Sequence, residues 1–65
     1  MVRDRIAVEW LEEGDQILVK GQEYVVYSID GDDPFNLTII DSEGYKKLLT
    51  LPSQTNITVL YSIDD

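Results

Sequence analysis

A tight turn at Lys20-Gly21-Gln22 constrains this chain most. It separates two β-forming runs within the stretch Leu11 to Ile29, with Ile17-Leu18-Val19 before it and Tyr24-Val25-Val26-Tyr27 after it. A glycine turn between such runs is the sequence signal of a hairpin. A second turn, Glu13-Gly14-Asp15, leads into the first run. Both faces of Tyr24 to Tyr27 carry large apolar groups, which predicts a strand buried on one side and partly covered on the other. Tyr24, Val26 and Ile29 form one inward set only if a residue is inserted between them, so a bulge or bend is expected before Ile29.

The remaining segments read as strands added around this hairpin. Ile6, Val8 and Trp10 alternate with Ala7 and Glu9, a period of two that predicts a strand. Asp30-Gly31-Asp32-Asp33-Pro34 is the strongest loop signal. Phe35 to Ile40 is the next strand, with Leu37 and Ile39 inward. Asp41-Ser42-Glu43-Gly44 is a hairpin turn, and Tyr45 to Leu51 returns with Leu49 and Leu51 inward. Pro52-Ser53-Gln54 breaks that strand with one expected turn of 3₁₀ helix. Asn56 to Ser62 is the last strand, with Ile57 and Val59 inward. No segment carries an amphipathic helical stripe. Five or six short strands in one domain over residues 1–65 predict an all-β fold, a small closed barrel or a sandwich. Closure is expected because Tyr24 to Tyr27 and Ile57 to Tyr61, left on an open edge, would be aggregation-prone.

Composition narrows the function. The 65 residues include no cysteine and no histidine. That removes disulfides, thiolate zinc sites, the usual general base and the near-neutral pH switch. No enzyme activity and no cofactor is expected. Thirteen acidic residues against five basic ones give a net charge of −8. The five cations, Arg3, Arg5, Lys20, Lys46 and Lys47, are too few to displace counterions from nucleic acid or to hold an anionic membrane. A protein partner, basic or mixed, suits this charge better. Met1 to Arg5 precedes only a short, interrupted apolar stretch, unlike a signal peptide, and no apolar run has transmembrane length. A cytoplasmic location is the corresponding expectation.

Gly14-Asp15-x-Ile17-x-Val19-x-Gly21, then Tyr24-x-Val26, Leu37-Thr38-Ile39 and Asp41-x-x-Gly44, resembles the strand-and-turn pattern of SH3-like small barrels, nearest the KOW and Tudor types. The similarity spans roughly residues 6–60 and includes the Pro52-Ser53-Gln54 break, which resembles the 3₁₀ turn before the last strand of SH3-like domains. It implies a five- to six-stranded SH3-like barrel. Small size, acidity and the missing cysteine also suit a small bacterial or phage accessory protein.

Three groups of residues invite a chemical reading. The loop of Asp30, Asp32 and Asp33 could offer oxygens to a hard cation. However, in an EF-hand register Pro34, Leu37, Ile39 and Ile40 would occupy ligand or spacer places, and the segment reads as a strand, so a solvated turn fits better. Resemblance to Tudor barrels implies an aromatic cage for methylated cations, with Tyr24, Tyr27, Phe35 and Tyr45 as members; packing is the simpler role. Glu12/Glu13 and Asp32/Asp33 are adjacent turn carboxylates, which are ordinarily solvated and lack the cleft that acid–base work needs.

The residues therefore read as a non-enzymatic acidic protein-binding module, docking on a basic or mixed protein surface. The expected contact residues are Leu18, Val25, Tyr27 and Leu60, which fall opposite the core set, together with Asp30, Asp32 and Asp33. Exposed together, the apolar four exceed the patch a monomer ordinarily shows, so a partner or a homodimer is expected there. Two alternatives stand beside this. One is a nucleic-acid mimic presenting Asp30, Asp32, Asp33, Asp41, Glu43, Asp64 and Asp65. The other is an obligate structural subunit of a larger assembly.

Overall fold

A computed structural model of the chain describes residues 2–61. Its strands are β1 (Val2–Ala7), β2 (Gln16–Val19), β3 (Gln22–Asp30), β4 (Phe35–Ile40), β5 (Lys46–Leu51) and β6 (Asn56–Tyr61). All pairings are antiparallel, in the order β1-β6-β2-β3-β4-β5. Among the described residues no helix is long and apolar enough to cross a membrane.

The hairpin closes as its sequence predicts. Val19 pairs with Gln22, leaving Lys20 and Gly21 as a two-residue turn. Both take positive φ, 51° and 80°, the conformation that matches the twist of the flanking strands. Glycine adopts it freely, whereas Lys20 carries a steric cost. The expected irregularity in β3 is also present. Val26 pairs with Ile39 and Ser28 with Thr38, so Tyr27 is an extra residue with no partner on β4. The insertion returns Ile29 to the side of Val26 and leaves Tyr27 facing away from the core.

The first strand differs from its expectation. Pairing with β6 runs from Val2 to Ala7, and Val8–Trp10 is a single 3₁₀ turn rather than the strand's end. The Val8 N–H donates to Thr55 O at 2.9 Å and the Leu11 N–H to Val8 O at 3.1 Å. β1 and β2 both flank β6 and run parallel to each other, so Val8 to Asp15 must cross between them. Val8 and Leu11 are buried by this crossing, while Trp10 is left 71% exposed. The period-two pattern holds through Ile6 in β1, but Val8 and Trp10 belong to the crossover. At Pro52-Ser53-Gln54 the expected 3₁₀ helix is instead a single hydrogen-bonded turn, closed by the Thr55 N–H donating to Pro52 O at 3.0 Å.

One face of the sheet makes the core. Ile17, Val26, Leu37, Ile39, Ile57 and Val59 are buried there with Val8 and Leu11, and Ile6, Val19, Tyr24, Ile29, Phe35, Leu49 and Leu51 pack around them. Each fully buried aliphatic side chain stabilises the fold by about 1.5–3 kcal/mol before conformational entropy is subtracted. No buried side-chain polar atom among the described residues lacks a hydrogen-bond partner. The two segments expected to need barrel closure lie in β3 and β6, which have partners on both sides. The strands at the two ends of the sheet are β1 and β5.

Candidate functional site

Register assigns the opposite, outer face residue by residue, because directly paired residues share a face. Three rows cross β3, β4 and β5. Val25, Ile40 and Lys46 form the first, Ser28, Thr38 and Leu48 the second, and Asp30, Asn36 and Thr50 the third. Tyr27 projects beside the first two rows. Its ring lies 4.2 Å from Lys46 Nζ, a cation–π contact that holds both side chains on this face.

The rows form a gradient. Val25, Tyr27 and Leu48 are exposed, Leu48 to 73%, and Ile40 is half-buried between them. The third row is polar, with Thr50 Oγ1 donating to Asn36 Oδ1 at 3.1 Å. Beyond it lies the acidic loop. Asp30 Oδ1 accepts from the Gly31 N–H at 3.0 Å, and Asp32 and Asp33 are exposed. Gly31 is fixed here by space as well as by its φ of 76°, since a Cβ would come within 2.8 Å of Pro34 O. Along β4 the face thus passes from the apolar row at Ile40 to the acidic loop, and Glu23 and Asp41 border the apolar row at its other end.

The seven residues expected to make contact divide three ways. Val25 and Tyr27 form the exposed apolar patch, and Asp30, Asp32 and Asp33 form its acidic end. Leu18 is on the same face but apart from the patch. Gln16 Nε2 donates to Glu23 Oε1 at 2.8 Å and lays a polar bridge between Leu18 and Val25. Leu18 instead borders a shallow cavity with Arg3, Asp4, Arg5 and Thr58. Leu60 corrects the expectation of an exposed apolar set. Its register puts it on the outer face, yet it is only 7% exposed. It sits on β6, between two strands, with the long side chains of Arg3 and Gln16 as its register partners.

Leu48, Ile40 and Lys46 were missed as patch members. Their signal was present, since inward Leu49 and Leu51 force Leu48 outward. The four aromatics of the cage reading do not converge. Tyr24 and Phe35 pack against the core, Tyr27 faces outward, and Tyr45 is exposed in the β4–β5 turn.

The carboxylates of the mimic reading fall into separate groups. Asp30, Asp32 and Asp33 precede β4, while Asp41 and Glu43 follow it. A strand of six residues spans about 20 Å. Asp41 is also occupied locally, its Oδ1 accepting from the N–H groups of Glu43 and Tyr45 at 2.9 Å each. Asp64 and Asp65 lie outside the described residues. No group of three or more carboxylates is arranged to hold a metal ion among the described residues. The chain matches no protein-family model and no curated protein.

Proposed function

We propose that this chain is a non-enzymatic protein-binding module of SH3-like type that docks through the outer face of β3, β4 and β5. One observation carries the reading: a contiguous exposed apolar group, Val25, Tyr27 and Leu48 around Ile40, on the face where Asp30 opens a loop of three exposed carboxylates. Large aromatic and aliphatic side chains exposed side by side favour burial against a partner. The gradient toward Asp30, Asp32 and Asp33 favours a partner that offers an apolar anchor and, about 10–15 Å from it, Lys or Arg. The Pro52-Ser53-Gln54 turn before the last strand and the antiparallel all-strand sheet are what support the SH3-like reading.

The test is capture on immobilised protein, followed by titration of the recovered partner. Tyr27→Ser is expected to abolish capture without unfolding the chain. Asp32→Asn with Asp33→Asn is expected to weaken binding and flatten its dependence on salt. A partner held equally well by all variants would place docking on another surface.

A further inference from the structure

We propose that β5 is a self-complementary edge through which two copies of this chain pair antiparallel about Leu48, joining their sheets. The inference goes beyond the docking reading; its first two observations are separate from that reading, and its third shares the exposed Leu48.

The first is which backbone groups β5 leaves free. The Asp41 N–H donates to Tyr45 O at 3.0 Å, so Tyr45 directs its backbone polar groups at β4. Pairing continues without a shift from Ile40↔Lys46 to Phe35↔Leu51. In an antiparallel ladder, successive residues point these groups to alternate sides. Lys47, Leu49 and Leu51 therefore bond β4, while Lys46, Leu48 and Thr50 present theirs to the open edge. β5 has no other neighbour in the sheet.

The second is how that edge matches itself. With the two-fold axis at Leu48, each Leu48 faces the Leu48 of the second copy, and Lys46 faces Thr50. All three free residues of each strand then lie in hydrogen-bonded pairs, and no lysine meets a lysine. A shift of two residues toward the C-terminus would set Lys46 against Pro52, which has no N–H to give. The other terminal strand behaves differently. Two β1 strands paired about Asp4 would bring Arg3 against Arg5 of the second copy, a like-charge contact.

The third is continuity. Leu48 is the most exposed large apolar residue among the described ones, and it lies on the face that carries Val25 and Tyr27. Pairing there covers Leu48 and brings the two apolar patches side by side. Each copy carries a charge of −8, so the copies repel at long range. Added salt should therefore strengthen the dimer.

Sedimentation over a concentration series, in low salt and in about 0.5 M sodium chloride, reads the association directly. The wild-type chain is expected to move from monomer to dimer, at lower concentration in the higher salt. Leu48→Lys and Leu48→Glu alter an exposed side chain, so both should keep the wild-type circular dichroism spectrum. Each alone should dimerise at least about tenfold more weakly, a loss of 1.4 kcal/mol or more. An equimolar mixture of the two should recover the dimer, because lysine then faces glutamate. Three results would each overturn the proposal. These are a wild-type monomer up to about 1 mM in both salts, a Leu48→Lys variant that associates like wild type, and a mixture that stays as monomeric as its components.

Discussion

β4 and β5 are paired along their full lengths, six residues each, yet they meet different fates. In β4, Leu37 and Ile39 are buried, Leu37 to 0% exposure. In β5, Leu49 and Leu51 occupy the same face and are only half-buried, and Leu48 is almost free. The difference comes from position. β4 has β3 on one side and β5 on the other, whereas β5 has β4 alone. An apolar residue on the core face of a terminal strand lacks one neighbour, and on the outer face it has no cover. The sequence Lys46-Lys47-Leu48-Leu49-Thr50-Leu51 thus has the composition of a core strand and the solvent access of a surface one.

Substitutions along the rows that cross the two strands test this contrast. The largest effect is expected at Leu37→Ala, a loss of about 2–5 kcal/mol, because a fully buried side chain leaves a cavity as well as losing its transfer energy. Its cross-strand partner should be milder: Leu49→Ala is expected to cost about 1–2 kcal/mol, since half-burial removes less area from water. Urea midpoints at fixed low protein concentration measure both. If they prove equal, β5 is covered more fully than its single neighbour allows.

Lys46→Met keeps most of the aliphatic stem and removes the charge over Tyr27. A change of about 0.5 kcal/mol fits an exposed cation–π contact, and a fluorescence change at Tyr27 should accompany it. The smallest effect belongs to Leu48→Ala, within about 0.5 kcal/mol in the monomer. A larger loss there would mean that the outer face is already covered within one chain.

Much of the fold was legible because its signals are local. The Lys20-Gly21 hairpin, the inserted residue in β3 and the Asp41–Gly44 turn follow from φ demands and from period two over short spans. The inward sets Leu37/Ile39 and Ile57/Val59 follow in the same way. What failed depends on strand order. Val8 and Trp10 alternate like strand residues, and nothing local says that the chain crosses from β1 to β2 at that point. Leu60 points away from the core as its spacing predicts, and its burial comes from Arg3, Gln16 and their strands, which are distant in sequence. The patch was half legible for the same reason. Val25 and Tyr27 stand out in a hydrophobic run, but their neighbours Ile40 and Leu48 join them only through the β3–β4–β5 register. Leu18 is set apart by the Gln16–Glu23 hydrogen bond across two strands.

Amide hydrogen exchange along β5 tests most directly whether this strand presents an open, pairing edge. In dilute protein the N–H groups of Lys47, Leu49 and Leu51 should be protected by β4, and those of Lys46, Leu48 and Thr50 should exchange rapidly. Raising the concentration, with salt added, should slow Lys46, Leu48 and Thr50 and leave the first three little changed. Uniform protection along the strand in dilute protein, or an alternation of the opposite phase, would contradict the account.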